Sequence, residues 1–422
     1  MRMLMWSLIG MVLATAACTS AEVVYHASFD RGQSLEGWHV FARDGKAAMQ
    51  TVREANGHHL RVDHGRAASG HVPVEPGQLY SVRFRLRSER RPLFGVQYFD
   101  QRGELLPSDH HTGLADTRGW QDGLYLTRAR PDAAKMAFTL YGGMAVDDLA
   151  IATATADDFV AWDAELGRAV KALSFDPPAD RWERLPRTAR KLRAGGELRI
   201  VMLGDSIVND TLNSILDLRI ERANPGVAVT VFPAVTNGGG CWRYRRDGHV
   251  QTMVLDHKPD LVVIGGVSHR NDIESIRVVM KEILSRSDAE VLLASGAVAA
   301  VDWMVRDRDD PRAERWRAHL ETANARYRKA LAELAQRDRV AFFDLRDVWE
   351  TYLEETGQDR TALMRDSVHA NVYGQHLLGR MMRVYFTARH ATSDKSDQPG
   401  NAATPSEPAK PDATVDRPNP AE

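Results

Sequence analysis

The chain has 422 residues, 43% of them hydrophobic, and its 55 basic and 57 acidic residues leave a formal net charge of −2. This near-balance excludes a global electrostatic field suited to nucleic acid or to an anionic bilayer, so a polyanionic partner would need a local basic patch. The length predicts two domains.

Residues 1–21 have the pattern of an export signal. One early arginine precedes an apolar run that is too short to span a bilayer, and small residues follow this run. Two interpretations stay open: lipoprotein processing that leaves a lipid anchor on Cys18, or ordinary cleavage near Ala21. Both predict an exported protein, either a cell-envelope lipoprotein or a periplasmic or secreted protein. Cys18 would be lipidated under the first interpretation and removed under the second, so Cys241 is the one thiol left. An intrachain disulfide framework is therefore excluded.

Residues 22–153 contain short runs of alternating apolar and polar residues between Gly, Pro and Asp punctuation. In "QLYSVRFRLRS", Val82, Phe84 and Leu86 alternate with arginines, which is typical of a half-buried antiparallel strand. Because such runs recur along the whole region, it is predicted to be an antiparallel β-sandwich.

Four segments of this region resemble the jelly-roll modules of carbohydrate-binding proteins: "ASFDRGQSLEGWHV", "VPVEPGQLYSVRFRLR", "YFDQRGELL" and "AVDDLAIAT". The resemblance implies a structural calcium ion between the first and last strands, where Asp30 and Asp148 would supply oxygen ligands. The alternative is that both acids are ordinary turn and strand-end residues. Whether this half binds sugar stays open, because many such sandwiches only pack beside an enzyme.

Residues 154–196 are predicted to form a helical linker, because the apolar residues of 156–173 recur at helical spacing. From 197 to 390, continuous apolar runs of strand length alternate with helical patterns. Strands without polar alternation are buried on both faces, so this region is predicted to be a three-layer α/β domain with a flavodoxin-like parallel sheet. Residues 391–422 lack aromatic residues and are predicted to be a disordered tail. The predicted strands are 198–203, 227–232, 261–264, 291–294 and 340–343, and the predicted helices are 207–223, 272–285, 313–336 and 374–384.

The segment "LRIVMLGDSIVNDTL" runs from a buried strand through Gly204 into a helix that begins near Ser206. A helix start offers unpaired N–H groups and the positive end of the helix dipole, which suit an oxyanion forming on a carbonyl attacked by the serine. Gly204 permits a tight exit from the strand, and Asp205 is expected to face inward and fasten the loop. The alternative is that Asp205 or Ser206 only caps the helix.

A base for this hydroxyl stands far along the chain, in "MRDSVHANVYGQHLLGRMM", where Asp366 and His369 are three residues apart before a predicted helix. Gly-Asp-Ser at a strand end and a later Asp-x-x-His make residues 198–385 similar to the SGNH or GDSL hydrolases. The resemblance implies Ser206 as the nucleophile, His369 as the general base and Asp366 as the residue that orients the imidazole.

The resemblance also implies an oxyanion hole with three donors. The first is the N–H of Ser206, and the second is the N–H of a glycine after the second strand, for which "FPAVTNGGGCW" offers Gly240. The third is normally the asparagine of Gly-x-Asn-Asp, and "LVVIGGVSHRNDIESI" departs from that pattern. His269 is expected to take this role, with Asn271 as the alternative. Asn271 also has a structural explanation, since with Glu274 it would form a helix capping box.

The segment "CWRYRRDGHV" follows Gly240 directly and offers a clue to the substrate. Trp242, Arg243 and Arg245 are the candidate substrate-binding residues, because guanidinium groups pair well with uronate or sulfate groups. The alternative is a solvated loop with its aromatic residues tucked into the core. Cys241 is expected to be a small buried residue rather than a nucleophile.

The implied reaction is acyl transfer from an ester to water through an acyl-enzyme, with no metal or organic cofactor for catalysis. An export signal beside a carbohydrate-module-like sandwich favours an acetylated polysaccharide or oligosaccharide as substrate, by analogy. Two alternatives stay open: a polysaccharide O-acyltransferase on the same fold, and a non-catalytic glycan-binding protein of the cell surface. The sequence leaves the sugar, the acyl group and the oligomeric state open.

Overall fold

The computed structural model describes residues 21–388 apart from 30–34, 36, 42–47, 55–56, 89–91, 107–109, 114–118, 270–271, 297–310 and 367. The predicted signal segment up to residue 20 and the predicted tail 391–422 therefore lie outside the described residues. Among the helices that the structure describes, none has both the length and the apolar character needed to cross a bilayer.

The first half of the chain folds into short antiparallel strands. Their apolar faces form one core, in which Val82, Phe84 and Leu86 are at most 3% exposed, as their alternation with arginines predicts. The strands are β1 (Val23–Ala27), β2 (His39–Phe41), β3 (Ala48–Glu54), β4 (Gly57–His64), β5 (Arg66–Ala68), β6 (Val72–Pro73), β7 (Leu79–Ser88), β8 (Phe94–Phe99), β9 (His110–Thr112), β10 (Gln121–Arg128), β11 (Lys135–Tyr141) and β12 (Met144–Ala154).

These strands build two six-stranded sheets. One sheet has the order β10-β7-β12-β4-β3, with β1 paired to β12, and the other has the order β2-β5-β11-β8-β9, with β6 paired to β11. Every one of these pairings is antiparallel. The predicted antiparallel sandwich is therefore confirmed.

Three helices connect the two halves: α1 (Ala156–Ala169), α2 (Arg181–Arg184) and α3 (Pro186–Ala194). Helix α1 begins with a capping box, in which the Thr155 side chain accepts from the Asp158 N–H and the Asp158 carboxylate accepts from the Thr155 N–H. Phe159 and Trp162 of α1 are buried in the core of the sandwich. The helix ends four residues before the predicted end because Val170 adopts extended backbone angles.

The second half is an α/β layer structure with a five-stranded parallel sheet of order β14-β13-β15-β16-β17. The predicted flavodoxin-like parallel sheet is confirmed, because each predicted strand is present. The strands are β13 (Gly196–Gly204), β14 (Val227–Val235), β15 (Leu261–Ile264), β16 (Glu290–Ala294) and β17 (Ala341–Phe343). The helices are α4 (Ser206–Leu212), α5 (Leu216–Ala223), α6 (Cys241–Tyr244), α7 (His249–Met253), α8 (Ile273–Arg286), α9 (Pro311–Asp338), α10 (Leu345–Thr356) and α11 (Val372–Phe386).

Two features of this half differ from the predicted helices. The predicted helix 207–223 is two helices, because Ile215 takes a left-handed backbone with φ of 58° between α4 and α5. This turn aims the carbonyl of Ser214 at the Nε of Arg219, which donates to it at 2.7 Å. Helices α6, α7 and α10 were not predicted, although Asp344 caps α10 by accepting from the N–H of Asp347.

A buried charge cluster ties the connecting helix α1 to α5 and α11. Arg219 of α5 is 1% exposed and forms an ion pair with Asp163 of α1. The Nδ1 atom of His376 on α11 lies 3.1 Å from Nη2 of Arg219 and 3.0 Å from Oδ1 of Asp163. Burial lowers the pKa of His376, so the guanidinium is the fixed positive charge and Asp163 is its counterion.

We expect Arg219→Ala to lower the free energy of unfolding by about 3–5 kcal/mol, because it leaves a largely buried carboxylate without its counterion. Urea unfolding followed by tryptophan fluorescence would measure this. The control is Arg277→Ala, which breaks a solvent-accessible pair with Glu274 on α8 and should cost much less. Equal losses for the two variants would contradict a structural role for the buried cluster.

Candidate active site

Ser206 stands at the first turn of α4, where the chain leaves β13. Gly204 is required at this exit, because a Cβ there would lie 2.3 Å from the carbonyl oxygen of Gly265 on the neighbouring strand connection. The Asp205 carboxylate faces inward, as predicted, and accepts from the N–H groups of Ile207 at 2.9 Å and Val267 at 2.7 Å. The serine is thus held at the carboxyl edge of the sheet by backbone packing and one buried acid.

The side chains of Ser206, His369 and Asp366 form one hydrogen-bonded chain. The Nε2 of His369 lies 2.8 Å from the Oγ of Ser206, and its Nδ1 lies 2.9 and 2.8 Å from the two carboxylate oxygens of Asp366. Because a carboxylate only accepts, Nδ1 carries the proton, and Nε2 is left to accept from the serine hydroxyl. Two segments that are 163 residues apart therefore meet in the arrangement that a serine nucleophile and its base require.

The carboxylate of Asp366 is held in its ionised form. Partial burial raises its pKa, but the hydrogen bond and charge of His369 and the N–H groups of Val368 and His369, both at 2.8 Å, outweigh this and lower it to about 2. An ionised Asp366 holds the orientation of the His369 ring, and its charge favours an imidazolium at that position.

Gly240 caps α6 at the carboxyl end of β14 and packs against the connection that follows β15. A Cβ on Gly240 would lie 2.7 Å from the carbonyl oxygen of Ser268 and 2.8 Å from the Cα of His269, so only glycine fits there. Within the described part of the chain, the N–H groups of Gly240 and Ser206 donate to no protein acceptor. Both are therefore available as oxyanion donors.

His269 does not have the geometry that its predicted role requires. The side chain is 2% exposed, its Nδ1 accepts from the N–H of Cys241 at 3.1 Å, and its Nε2 donates to the carbonyl of Gly265 at 2.9 Å. Because both ring nitrogens are engaged in these hydrogen bonds, this geometry offers no imidazole N–H to an oxyanion, and the third-donor role of His269 stays a prediction. The imidazole instead fastens the start of α6 to the end of β15.

Two neighbouring predictions have different outcomes. Asn271, the alternative third donor, lies outside the described residues, and the helix cap assigned to it is made by Asp272, which accepts from the N–H of Ser275 at 2.9 Å. Cys241 is fully buried, and burial raises the pKa of its thiol. That environment suits the predicted packing role and opposes a thiolate nucleophile.

An open cleft of about 480 Å³ lies beside the loop that carries Gly240. The hydrolase half contributes polar groups to it, including Thr236, Asn237 and Arg243, and the sandwich contributes Leu105, which is 51% exposed, and Leu106. Thr236 connects the cleft to the nucleophile turn, because its N–H donates to the carbonyl of Gly204 at 3.0 Å. Both halves of the protein therefore line this cleft.

The three candidate substrate-binding residues lie in different places. Arg243 lines the cleft. The indole N–H of Trp242 donates to the carbonyl of Ser268 at 3.1 Å, so this ring braces the loop after β15. Arg245 is exposed, and its charge helps to lower the pKa of Asp272, after the larger effect of the Ser275 hydroxyl.

The structure describes one of the two predicted calcium ligands. Asp30 lies outside the described residues. Asp148 has a left-handed backbone with φ of 49° at an irregularity of β12, and its carboxylate lies 3.9 Å from the guanidinium of Arg85. A guanidinium at that distance opposes a second cation, and no group of three or more acidic, histidine or cysteine side chains that could hold a metal is found in the described residues. The calcium site stays a prediction.

Sequence reasoning missed one charged residue next to the nucleophile. Asp210 lies one helical turn after Ser206 and is completely buried, where it accepts from Arg365, Ala370 and Gln375. The only available signal was an acid at helical spacing from the serine, in the otherwise uncharged continuation of the Gly-Asp-Ser turn. Nothing local shows that this acid faces the interior.

Comparison with known proteins gives a family match for the second half. Residues 176–384 match the family model described as "SGNH domain (fused to AT3 domains)". The fold and this match define a hydrolase of ester bonds. More particularly, residues 176–384 are an SGNH domain, which follows an antiparallel β-sandwich in the chain. A search of curated protein sequences gives no match.

Solved structures with partial likeness include two esterases and a carbohydrate-binding tandem. A two-domain esterase (CEX) active on acetylated mannans is 16% identical over 52% of this chain and 58% of its own, with a TM-score of 0.37. The acetyl xylan esterase AlAXEase is 20% identical over 44% of this chain and 98% of its own, with a TM-score of 0.34. The CBM22 tandem of Paenibacillus barcinonensis Xyn10C is 13% identical over 33% of this chain and 48% of its own, with a TM-score of 0.26. The chain thus spans less than two thirds of the mannan esterase and of the tandem.

We expect the contribution of Asp366 to stability to disappear as the pH falls from 3.8 towards 2. Its folded-state pKa of about 2 lies below the ordinary value of 3.8, so the ionised group stabilises the folded protein above pH 3.8 and loses that effect on protonation. Urea unfolding of the wild type and of Asp366→Asn at a series of pH values would measure this. A difference in free energy of unfolding that stays constant from neutral pH to about pH 2.5 would contradict it.

Proposed function

We propose that the protein is a serine esterase whose nucleophile is Ser206, whose general base is His369 and whose orienting acid is Asp366. The observation that carries the proposal is the 2.8 Å approach of His369 Nε2 to Ser206 Oγ, with Nδ1 on the carboxylate of Asp366. Because a free serine hydroxyl is a weak nucleophile, this paired base is what makes it reactive.

The proposed reaction has two steps, acylation of Ser206 and hydrolysis of the acyl-enzyme. His369 takes the proton of Ser206 as Oγ attacks the ester carbonyl, and the N–H groups of Ser206 and Gly240 donate hydrogen bonds to the oxyanion. The imidazolium then gives its proton to the departing alcohol, which leaves an acyl group on Oγ. A water molecule loses a proton to His369, attacks the acyl carbonyl and releases the acid, and the proton returns to Ser206.

Among the described residues, the oxyanion hole of this proposal has two backbone N–H donors, and Asn271, the alternative third donor, lies outside that part of the chain. His269 is engaged by Cys241 and Gly265, so it supplies no third donor. Loss of one donor elsewhere costs about a hundredfold to a thousandfold in rate. An oxyanion hole with these two N–H donors alone would suit activated or small acyl esters, such as acetyl groups, rather than amides.

We propose an acetylated polysaccharide or oligosaccharide as the substrate. The cleft beside the Gly240 loop is open, has a volume within the range of small-molecule sites and mixes amide, hydroxyl and guanidinium groups with leucines. Such a lining suits a hydroxylated sugar chain better than a long acyl chain. The pattern of residues 1–21 supports export, with a lipid anchor at Cys18 or cleavage near Ala21 as the two forms of processing.

We expect Ser206→Ala to lower ester hydrolysis by a factor of about 10⁴ or more, since removal of a nucleophile leaves only the binding and oxyanion contributions. Acetate release would be measured on 4-nitrophenyl acetate and on a panel of acetylated polysaccharides. Circular dichroism would verify that the variant folds. If the wild-type protein releases acetate from every ester no faster than this variant does, a glycan-binding protein is the better assignment. Acetyl transfer to added glycans in place of acetate release would identify an acyltransferase.

We expect Arg243→Ala to raise KM for acetylated glycans that contain uronates by about tenfold, because it removes one charge-assisted hydrogen bond from the cleft. The rate on 4-nitrophenyl acetate should not change. Arg246→Ala is the matched control, since Arg246 is an exposed arginine of the same segment that does not line the cleft. Equal KM values for wild type and Arg243→Ala on acidic and neutral glycans alike would remove the case for an anionic substrate.

A further inference from the structure

The segment that carries Asp366 and His369 is held against α4 by a buried carboxylate. Asp210 lies four residues after Ser206, so its side chain projects from the same face of the helix one turn further on. It is 0% exposed, and the side chain of its partner Arg365 is 10% exposed. Nucleophile and carboxylate therefore share one short rigid helix.

The contacts of Asp210 bracket the base. Its Oδ1 accepts from Nη1 of Arg365 at 3.1 Å, on the residue before Asp366, and its Oδ2 accepts from the N–H of Ala370 at 2.9 Å, on the residue after His369. The N–H of Arg365 also donates to the carbonyl of His369 at 3.0 Å, which closes the segment into a tight loop. Both ends of this loop are thus anchored to the helix that begins with the nucleophile.

Arg365 adds an electrostatic link to this anchoring. Its Nε lies 3.8 Å from Oδ2 of Asp366, so one guanidinium stands between the buried acid and the acid that orients His369. Gln375 of α11 completes the set by donating to Oδ1 of Asp210 at 3.1 Å. Removing the carboxylate would take a buried negative charge away from the nearly buried guanidinium of Arg365, which is costly.

The sandwich supports the same loop from the opposite side. The carbonyl of Gly113, just after β9, accepts from the N–H of Val372 at 3.0 Å. A Cβ on Gly113 would lie 2.6 Å from the carbonyl oxygen of Pro92 and 3.0 Å from the Cβ of Arg365. The backbone of the sandwich is therefore in direct contact with the catalytic loop, with no spare room.

We propose that Asp210 is a positioning residue for His369 and that the sandwich, through Gly113, is a structural part of the catalytic centre. Asp210 contacts Arg365 and Ala370, and Gly113 contacts Val372, so the distance from His369 to Ser206 depends on both halves of the chain. This inference rests on the proposed esterase function. It assigns the sandwich a role in kcat that is independent of any binding of sugar.

The first test uses Asp210→Asn and Arg365→Lys with 4-nitrophenyl acetate, an ester too small to reach a remote glycan site. We expect Asp210→Asn to lower kcat about a hundredfold with little change in KM, because a displacement of about 1 Å at the base has that cost. Arg365→Lys keeps the positive charge and should retain more activity than Arg365→Met. Loss of kcat that is identical in the lysine and methionine variants would contradict an electrostatic anchor.

The second test replaces Gly113 with alanine, which needs no change in the hydrolase half. We expect kcat on 4-nitrophenyl acetate to fall at least tenfold, since an added methyl group would push Arg365 and the loop away from Ser206. Gly119→Ala is the matched control, because a Cβ there meets nothing within 4 Å. Unchanged kcat in a folded Gly113→Ala protein would overturn the role of the sandwich.

Two readouts separate this inference from the proposed function. A fluorophosphonate labels an activated serine whatever its natural substrate, and mass spectrometry gives the labelling rate of Ser206 in each variant. Crystal structures give the distance from His369 Nε2 to Ser206 Oγ directly. Wild-type protein that is labelled but hydrolyses no ester would defeat the substrate proposal alone. If labelling rates match wild type, or if the 2.8 Å separation persists in Asp210→Asn and Gly113→Ala, the positioning inference is overturned.

Discussion

The hydrogen bond between His369 and Ser206 is the contact on which the proposed esterase chemistry depends, because a serine hydroxyl needs a paired base to become a strong nucleophile. It joins residues 163 positions apart. The parallel sheet makes the meeting feasible, since the turn after β13 and the loops after neighbouring strands open on one edge. Asp366 accepts from Nδ1 of His369 and thereby fixes which nitrogen of the imidazole faces the serine.

The oxyanion side of the site is built by close backbone packing. Gly204 and Gly240 each occupy a position where a Cβ would overlap a carbonyl of the connection after β15. Asp205 and His269 pin that same connection by accepting from Val267 and donating to Gly265. This packing makes the loop after β15 rigid and keeps the N–H groups of Ser206 and Gly240 in place.

The two halves of the chain share structure around the site. Leu105 and Leu106 of the sandwich line the same cleft as Arg243 of the hydrolase half. Helix α1 buries Trp162 in the sandwich while its Asp163 pairs with Arg219 of α5. Helix α1 therefore links the two halves through one buried ring and one largely buried ion pair, and close packing of this kind couples them mechanically.

The sequence alone determined the local features: alternating strands in one half, continuous buried strands in the other, a serine at a strand-to-helix turn, and Asp366 with His369 three residues apart. These follow from side-chain period and short spacing, which act within a few residues. Only the tertiary structure decided that His269 is engaged on both nitrogens, that Asp210 faces Arg365, and that Ile215 splits a predicted helix. The partner of a buried polar atom is chosen by chain segments far away in sequence, and no local pattern records that choice.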